Sequence, residues 1–188
     1  MNGKLIVFSA PSGAGKTSIV HRLLKTELPL AFSVSAASRP KRPEEVDGTD
    51  YYFLTPEAFK QRIDNNEFME WEEVYPGSYY GTLKSELTRI WALGKHVIFD
   101  VDVIGGINIK KLYPEETLSI FVMPPTIEEL AVRLKIRNTE TLESMAKRLD
   151  KAKWEISFSN QFDYLLLNDN LDRSTPEIKE VIAQFISQ

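Results

Sequence analysis

The chain has 188 residues, 43% of them hydrophobic and 27% charged, so it carries enough apolar surface for one folded core and is too short for two full-sized domains. It contains no cysteine, which excludes disulfides, thiol nucleophiles and cysteine-ligated zinc and favours a cytoplasmic setting. A net charge of −4, with no apolar run long enough to span a bilayer and no signal-peptide layout, leads us to expect neither a nucleic-acid nor a membrane partner.

The first half of the chain predicts short strands and two helices. Thr55 is a candidate N-cap with Pro56 at the first helical position, and a Pro-Gly-Ser turn at 76–78 predicts a hairpin. The prolines in 39–43 exclude a regular helix or a central strand there. The predicted strands are 4–9, 32–35, 51–54, 68–74 and 79–82, and the predicted helices are 16–25 and 56–65. We therefore expect a small strand-rich region between about 33 and 82.

The second half alternates helices with apolar strands. Gly94 ends the first of these helices, and Thr126 with Glu129 forms a capping-box pattern at the start of a later one. The predicted helices are 84–93, 103–112, 126–137, 141–158 and 176–186, and the predicted strands are 96–100, 118–123 and 164–167. Alternation of this kind predicts an α/β fold in which helices cover both faces of a mostly parallel sheet.

The strongest local motif is the segment Ala10 to Thr17, APSGAGKT, between the first predicted strand and helix. Backbone N–H groups of such a loop cradle phosphates, Lys16 reaches the β- and γ-phosphates, and the Thr17 hydroxyl is suited to Mg²⁺. Ala10 stands where the strict motif has glycine, so the backbone there must tolerate a Cβ. A plain flexible turn is the alternative, but the strand and helix on either side favour nucleotide binding.

Two carboxylates follow the strand at 96–100. Asp100 is placed to orient Mg²⁺ beside the phosphate loop, and Asp102 lies two residues further on, where it can share the same face. Which of the two orients the metal stays open from the sequence. Ordinary solvation at a strand end is the alternative for both.

Beyond the phosphate loop, the chain resembles the guanylate kinase family, which transfers the γ-phosphoryl group of ATP to GMP. The resemblance covers nearly the whole chain. It is carried by Ser9 to Thr17, Ser33 to Ser35, Arg39 to Arg42, Glu45 to Phe53, Glu67 to Trp71, Tyr79 to Thr82, Asp100 to Asp102, Arg133 to Arg137, 139–141 with Arg148, and Asn168 with Asp169. It implies a three-layer P-loop NTPase fold with a small β-rich GMP-binding subregion and a helical lid.

For the GMP phosphate, the resemblance implies Arg39, Arg42, Tyr51 and Tyr80. A phosphate dianion suits forked guanidinium and neutral hydroxyl donors, although 39–42 read alone fits a solvated basic loop.

For the base, the resemblance implies Glu70, Ser35 and Thr82, and it places Gly81 and Asp102 in the same site. Guanine presents adjacent donors at N1 and N2 and an acceptor at O6, so one carboxylate accepts twice while a hydroxyl donates. Read alone, Glu70 fits a surface charge on the hairpin.

The resemblance further implies that Arg133, Arg137 and Arg148 neutralise the transferring phosphoryl group together with Lys16. The alternative for these arginines is a solvated amphipathic helix. ATP contacts are implied for Ser12, Gly13, Ala14, Gly15, Lys16, Thr17, Ser18 and Asn168, and metal contacts for Thr17 and Asp100.

The implied organisation is a single domain over 1–188, with a core at 1–32, 83–125 and 159–188, a GMP-binding region at 33–82 and a lid at 126–158. The implied cofactor is Mg²⁺ with ATP, and no obligatory protein partner is implied. Besides Ala10, the chain departs from the family pattern at Ile104, where glutamine is usual, and at Asn138, where a lid glycine is usual.

Two rival functions remain at the level of sequence. The first is a guanylate-kinase-like interaction module without catalysis, but such modules typically lose parts of the phosphate loop and the lid arginines that this chain keeps. The second is a P-loop kinase for another small phosphorylated molecule. The set of Glu70, Ser35 and Thr82 favours guanine over that alternative.

Overall fold

The structure is a computed structural model that describes residues 3–137 and 142–188, and at 136–137 and 142–144 it describes the backbone alone. The strands are β1 (Leu5–Ser9), β2 (Leu30–Phe32), β3 (Ala36–Ala37), β4 (Tyr52–Phe53), β5 (Phe68–Tyr75), β6 (Ser78–Leu83), β7 (His96–Asp100), β8 (Thr117–Met123) and β9 (Tyr164–Leu167). The α-helices are α1 (Lys16–Leu23), α2 (Pro56–Asp64), α3 (Lys84–Ala92), α4 (Val103–Leu112), α5 (Ile127–Arg137), α6 (Leu142–Ile156) and α7 (Leu171–Ile186), and a short 3₁₀ helix spans Ser159–Gln161.

The main sheet has five strands in the order β2-β7-β1-β8-β9, and every pairing in it is parallel. On one face, α1 and α7 pack through residues such as Val20 and Ile178 against Phe8 and Ile120. On the other face, α3 and α4 pack against the remaining side chains of β1 and β7. The predicted three-layer α/β fold with a mostly parallel sheet is confirmed.

The second sheet has four strands in the order β4-β3-β6-β5 and forms the predicted strand-rich region. Its core is a cluster in which Phe59 of α2 stacks on Phe68 and Tyr79. The Thr55 hydroxyl accepts the N–H of Ala58, which confirms the predicted N-cap of α2. The hairpin of β5 and β6 turns at Pro76 and Gly77, as predicted.

Two predicted elements differ from the structure. The strand expected at 32–35 is β2 at Leu30–Phe32, because the chain leaves the main sheet after the N–H of Ser33 bonds to the carbonyl of Ile98. The helix expected at 176–186 begins at Leu171, where the Asn170 side chain caps it by accepting the N–H of Asp172. Pro176 lies inside this helix rather than at its first position.

Two helices, α5 and α6, pack over the phosphate loop through a separate apolar cluster. Leu130 and Leu134 of α5 lie so close to Gly13 that a Cβ built there would be 2.9 Å from Leu134 Cδ2. The Thr126 hydroxyl accepts the N–H of Glu129, which confirms the N-cap half of the predicted capping box. Within the described part of the chain, no helix has both the length and the apolarity needed to span a bilayer.

Candidate active site

A cavity of about 410 Å³ lies where the phosphate loop, the carboxyl end of β7, the hairpin of β5 and β6, and helix α6 meet. Of the predicted site residues, twelve line it: Ser12, Gly13, Gly15, Lys16, Thr17, Ser35, Tyr51, Glu70, Tyr80, Gly81, Asp100 and Asp102. The fold therefore brings part of the predicted ATP set and part of the predicted GMP set to one space, as expected at the carboxyl ends of parallel strands, whereas Arg39 and Thr82 do not line it.

The phosphate loop has the backbone that an anion cradle needs. Gly13 and Gly15 have φ values of +91° and +94°, which side chains disfavour. Ala10 has no positive φ and its side chain is buried in the core, so alanine is accommodated at this position. Helix α1 begins directly after Gly15 and has no acidic residue in its first turn, so its N-terminal N–H groups face no carboxylate of their own.

Lys16, Thr17 and Asp100 form one polar cluster at the floor of the cavity. The ammonium of Lys16 pairs with Asp100, and the Thr17 hydroxyl donates to the other Asp100 oxygen at 2.7 Å. Burial lowers the pKa of Lys16 to about 8, and the nearby carboxylates of Asp102 and Glu155 oppose that shift. An arriving phosphate would meet a desolvated cation that is held by a single carboxylate.

The same cluster fits a magnesium ion. A hydroxyl and a carboxylate are the oxygen ligands that Mg²⁺ prefers, and Thr17 and Asp100 already lie within hydrogen-bond distance of each other. Among the described residues there is no group of three or more His, Cys, Asp or Glu side chains placed to hold a metal. A metal here would therefore take its other ligands from nucleotide phosphates and water.

Asp102 has a different neighbourhood from Asp100. One of its side-chain oxygens accepts the N–H of Gly105 at 2.7 Å and caps α4, and its carbonyl accepts the Ser9 hydroxyl. It also lies close enough to Glu70 to raise the pKa of that carboxyl. The geometry thus favours Asp100 for the metal and puts Asp102 beside the predicted guanine group.

Glu70, the predicted guanine-binding carboxylate, is partly buried. Burial raises its pKa to about 7 while nearby Thr82 opposes the shift, so the surface-charge alternative does not describe this residue. Thr82 is paired with Glu70 across the hairpin, and its hydroxyl is buried. Gly81 has no room for a side chain, since a Cβ would lie 2.6 Å from the Glu70 carbonyl oxygen.

At the phosphate end, Arg39 is held by its own neighbours. Its two terminal nitrogens bind the Glu45 carboxylate at 2.5 and 2.7 Å, and its Nε donates to the Tyr80 hydroxyl at 3.1 Å. The Arg39 guanidinium holds the pKa of Glu45 at about 2. The Tyr51 ring lies 5.2 Å from the guanidinium carbon and edge-on to Tyr80, so three of the four predicted phosphate groups form one cluster.

Several predicted residues do not line this cavity. Arg42 is exposed, and only its backbone N–H joins the cluster, by donating to Glu45. Ala14 and Ser18 also lie outside the cavity, although the Ala14 carbonyl accepts a hydrogen bond from the Asn168 amide.

A second cavity of about 510 Å³ lies on the other side of the phosphate loop, between α1 and the β9–α7 connection. Asn168 and Arg133 line it together with Gly13 and Gly15. The buried Asn168 amide donates to the Ala14 carbonyl at 2.7 Å and accepts the Ser174 hydroxyl, and Arg133 donates to the Asn168 carbonyl. Asn168 thus ties the phosphate loop to α7 and to α5.

Of the other two arginines predicted to neutralise the transferring group, Arg148 reaches the phosphate loop, where it donates to the Ser12 hydroxyl at 2.9 Å. The Arg137 side chain and Asn138 lie outside the described residues. The predicted role of Arg137 therefore stays a prediction.

Sequence reasoning gave no site role to Glu45, Glu72, Lys151 or Glu155. Glu72 shares the cavity face of β5 with Glu70, as the two-residue period of a strand requires. Lys151 and Glu155 follow Arg148 at spacings of three and seven, which is one face of a helix. Burial raises the pKa of Glu155, which Lys151 partly opposes. Strand and helix periodicity, counted from Glu70 and Arg148, would have found these three residues.

Comparison with known proteins gives a consistent result. The family model described as guanylate kinase matches residues 2–185. The chain is 53% identical over 188 residues to the guanylate kinase of Bacteroides thetaiotaomicron, covering 100% of this chain and 92% of that protein. It is 52% identical over 186 residues to the guanylate kinase of Porphyromonas gingivalis, covering 98% of this chain and 99% of that one. The crystal structure of guanylate kinase from Anaplasma phagocytophilum superposes with a TM-score of 0.79 at 28% identity, covering 99% of this chain and 87% of that chain.

Proposed function

Because the chain belongs to the guanylate kinase family, we propose that it transfers the γ-phosphoryl group of ATP to GMP and releases ADP and GDP. One observation carries this proposal: a single cavity is lined by Lys16 of the phosphate loop at one side and by the partly buried Glu70 of the second sheet at the other. A phosphate loop alone serves many nucleotides, whereas a carboxylate opposite a buried hydroxyl suits guanine.

The proposed roles follow from the contacts. Glu70 accepts hydrogen bonds from guanine N1 and N2, while the buried Thr82 hydroxyl and nearby Ser35 supply polar groups for the rest of the base edge. Arg39, Tyr51 and Tyr80 hold the GMP phosphate, and we retain Arg42 as a fourth group that must swing in from solvent.

On the ATP side, the phosphates lie on the loop of Ser12 to Ser18, with Lys16 on the transferring group. The nucleoside occupies the second cavity beside Asn168 and Arg133. Arg133, Arg137 and Arg148 neutralise charge that develops during transfer.

We propose that Thr17 and Asp100 hold Mg²⁺ when ATP is bound. When bound there, the ion would supply positive charge that offsets the negative charge of the nucleotide phosphates. The protein's own contribution at this point is to hold the Thr17 hydroxyl and the Asp100 carboxylate 2.7 Å apart, ready for one ion. A titration of activity with EDTA and then with Mg²⁺ tests this: activity should vanish and return, and activity that persists in EDTA would contradict the metal role.

We further propose how the chain is divided into regions and where the reaction takes place. We divide the chain into a core at 1–32, 83–125 and 159–188, a GMP-binding region at 33–82 and a lid at 126–158. We place the reaction in purine nucleotide metabolism of the cytoplasm, with ATP and GMP as the substrates.

The test is an ADP-release assay with GMP, dGMP, AMP, CMP and UMP as acceptors. GMP should exceed AMP in kcat/KM by a factor on the order of 10⁴, because adenine leaves the Glu70 and Thr82 groups without partners. A preference for another acceptor would favour the alternative P-loop kinase. No ADP release with any acceptor would favour the non-catalytic interaction module, although Lys16, Thr17 and Arg148 stand at the phosphate loop as an enzyme requires.

A further inference from the structure

Glu86 is a buried carboxylate outside the cavity, at the junction of the two sheets. It lies in the first turn of α3, directly after β6, and its side chain is 2% exposed. A carboxylate with so little solvent must be satisfied by protein groups, and most of its partners here come from segments distant in the chain.

Four donors fill the two carboxylate oxygens. Oε2 accepts the backbone N–H of Val34 at 2.8 Å, and Oε1 accepts the Tyr52 hydroxyl at 2.8 Å. Arg89, one turn later on α3, donates to both oxygens at 2.8 Å and also reaches the Phe32 carbonyl at 3.1 Å. These contacts outweigh the cost of burial and keep the pKa of Glu86 below its ordinary value, so the group is ionised at neutral pH.

Two of the three partners of Glu86 adjoin a residue of the proposed GMP site, and the third, Arg89, lies on the same helix as Glu86. Val34 precedes Ser35, and Tyr52 follows Tyr51. The Tyr52 N–H also donates to the Ser35 carbonyl at 2.9 Å, which joins the two segments to each other. On the third side, α3 follows β6 directly, and β6 carries Tyr80, Gly81 and Thr82.

We propose that Glu86 is a positioning residue for the GMP site: its carboxylate fixes the segment before Ser35 and the segment after Tyr51 against the helix that follows Thr82. This inference rests on the proposed function. It assigns no contact with substrate to Glu86, which acts only through the backbone and hydroxyl groups that it holds.

A positioning role can be distinguished from general stabilisation by where the loss appears. The ATP side of the cavity is built from the phosphate loop and α1. The hydrogen bonds of Glu86 go instead to Val34, Tyr52 and Arg89. Loosening the Glu86 contacts should therefore weaken GMP binding and leave ATP binding unchanged.

The experiment compares Glu86→Gln and Tyr52→Phe with the parent chain. Isothermal titration with GMP alone should give a Kd raised about tenfold in Glu86→Gln and about threefold in Tyr52→Phe. Glu86→Gln removes the charge that strengthens every hydrogen bond to this side chain, including both from Arg89, whereas Tyr52→Phe removes one of those bonds. In steady-state assays KM for GMP should rise in parallel, while KM for ATP and kcat at saturating GMP stay within about twofold. Tyr52→Phe removes a single hydroxyl, so it tests the proposal even where Glu86→Gln does not fold.

Asp163→Asn is the matched control. Asp163 also accepts a backbone N–H and a hydroxyl, both from Ser119, and pairs with the cation Lys110, but it lies at the far edge of the main sheet. It should lower the melting temperature without changing the Kd for GMP. An unchanged Kd for GMP in both test variants, or an equal rise in KM for ATP, would overturn the positioning role. A parent chain that fails to phosphorylate GMP would instead contradict the proposed function.

Discussion

Among single residues, the carboxylates around the cavity lower the stability of the folded chain. Glu70, Glu72 and Asp102 lie close together, and burial raises the pKa of both glutamates. Bringing like charges together out of water destabilises the fold, and such groupings are typical of sites that await a ligand. A guanine that donates two hydrogen bonds to Glu70 would relieve part of this cost.

Glu70 gives a prediction with opposite signs for binding and stability. The pKa of Glu70 is about 7 in the folded chain, which is above its value in the unfolded chain, so folding favours the protonated carboxyl. The resulting stabilisation is complete at pH values below the unfolded pKa and is lost as pH rises through about 7. Glu70→Gln should therefore raise the free energy of unfolding at pH 8 by about 1 to 3 kcal/mol, measured by urea denaturation, with little change near pH 4.

For binding, only the ionised Glu70 accepts from both guanine donors. In the parent chain KM for GMP should rise as pH falls below about 7, by up to roughly tenfold per unit, while KM for ATP does not follow. Glu70→Gln should lose GMP use at all pH values and leave KM for ATP unchanged. Equal effects on the two nucleotides would show that Glu70 is no specificity group.

Lys16 is the cation that we propose stands on the transferring phosphoryl group. Lys16→Met should leave a folded protein that still binds GMP but transfers phosphoryl at least about 10²-fold more slowly, because it removes preorganised charge at the transferring group. The measurement is kcat with saturating nucleotides, beside GMP titration calorimetry. Lys25→Met, which removes an exposed lysine just after α1, is the control and should behave as the parent chain. Near-normal turnover in Lys16→Met would contradict the phosphate-loop assignment.

At the scale of elements, the junction of the phosphate loop with α1 depends on Gly15. A Cβ there would lie 2.3 Å from the Asn168 amide nitrogen, which itself holds the Ala14 carbonyl. Gly15→Ala should therefore displace the loop and lower kcat/KM for ATP by about 10²-fold, because small shifts of catalytic groups cost that much.

Gly94→Ala is the matched control for Gly15→Ala. Gly94 also has a positive φ, of +67°, but no atom lies within 4 Å of its added Cβ. It should cost only about 1 kcal/mol of stability and leave the ATP kinetics intact. If both variants kept parental kcat/KM, the Asn168 contact would have no part in shaping the loop.

Most elements could be predicted because their signals are local. The apolar run of β7, the cap at Thr55 and the turn at Gly77 depend on neighbours within a few residues, and each is in place. The error at β2 has a long-range cause, because the strand ends where the chain crosses to the second sheet. The error at α7 is local: the helix starts at the Asn170 cap, whereas Pro176 reads as a helix start in isolation.

For the whole molecule, the prediction concerns closure of the lid over both nucleotides. Helices α5 and α6 already contact the phosphate loop through Leu130, Leu134 and Arg148. Arg137→Ala should lower kcat by about 10²-fold with little change in GMP affinity, which is the pattern of a contact made mainly in the transition state. Lys135→Ala, an exposed lysine on the same helix, is the control and should keep parental kcat.

Small-angle scattering adds an independent measurement of closure. A non-hydrolysable ATP analogue together with GMP should reduce the radius of gyration more than either ligand alone. An unchanged radius, together with parental kcat in Arg137→Ala, would remove the lid from the mechanism.

Periodicity, capping and contiguous motifs are properties of short segments, so they were enough to predict the layer architecture, the phosphate loop and the family. They could not show that Asp100 rather than Asp102 contacts Thr17, that Glu45 binds both terminal nitrogens of Arg39, or that Glu86 joins the segment before β3 and strand β4 to α3. Hydrogen bonds and pKa shifts depend on distance and burial in space. Residues 34, 52 and 86 come together only when both sheets have formed, so no pattern along the chain records their contact.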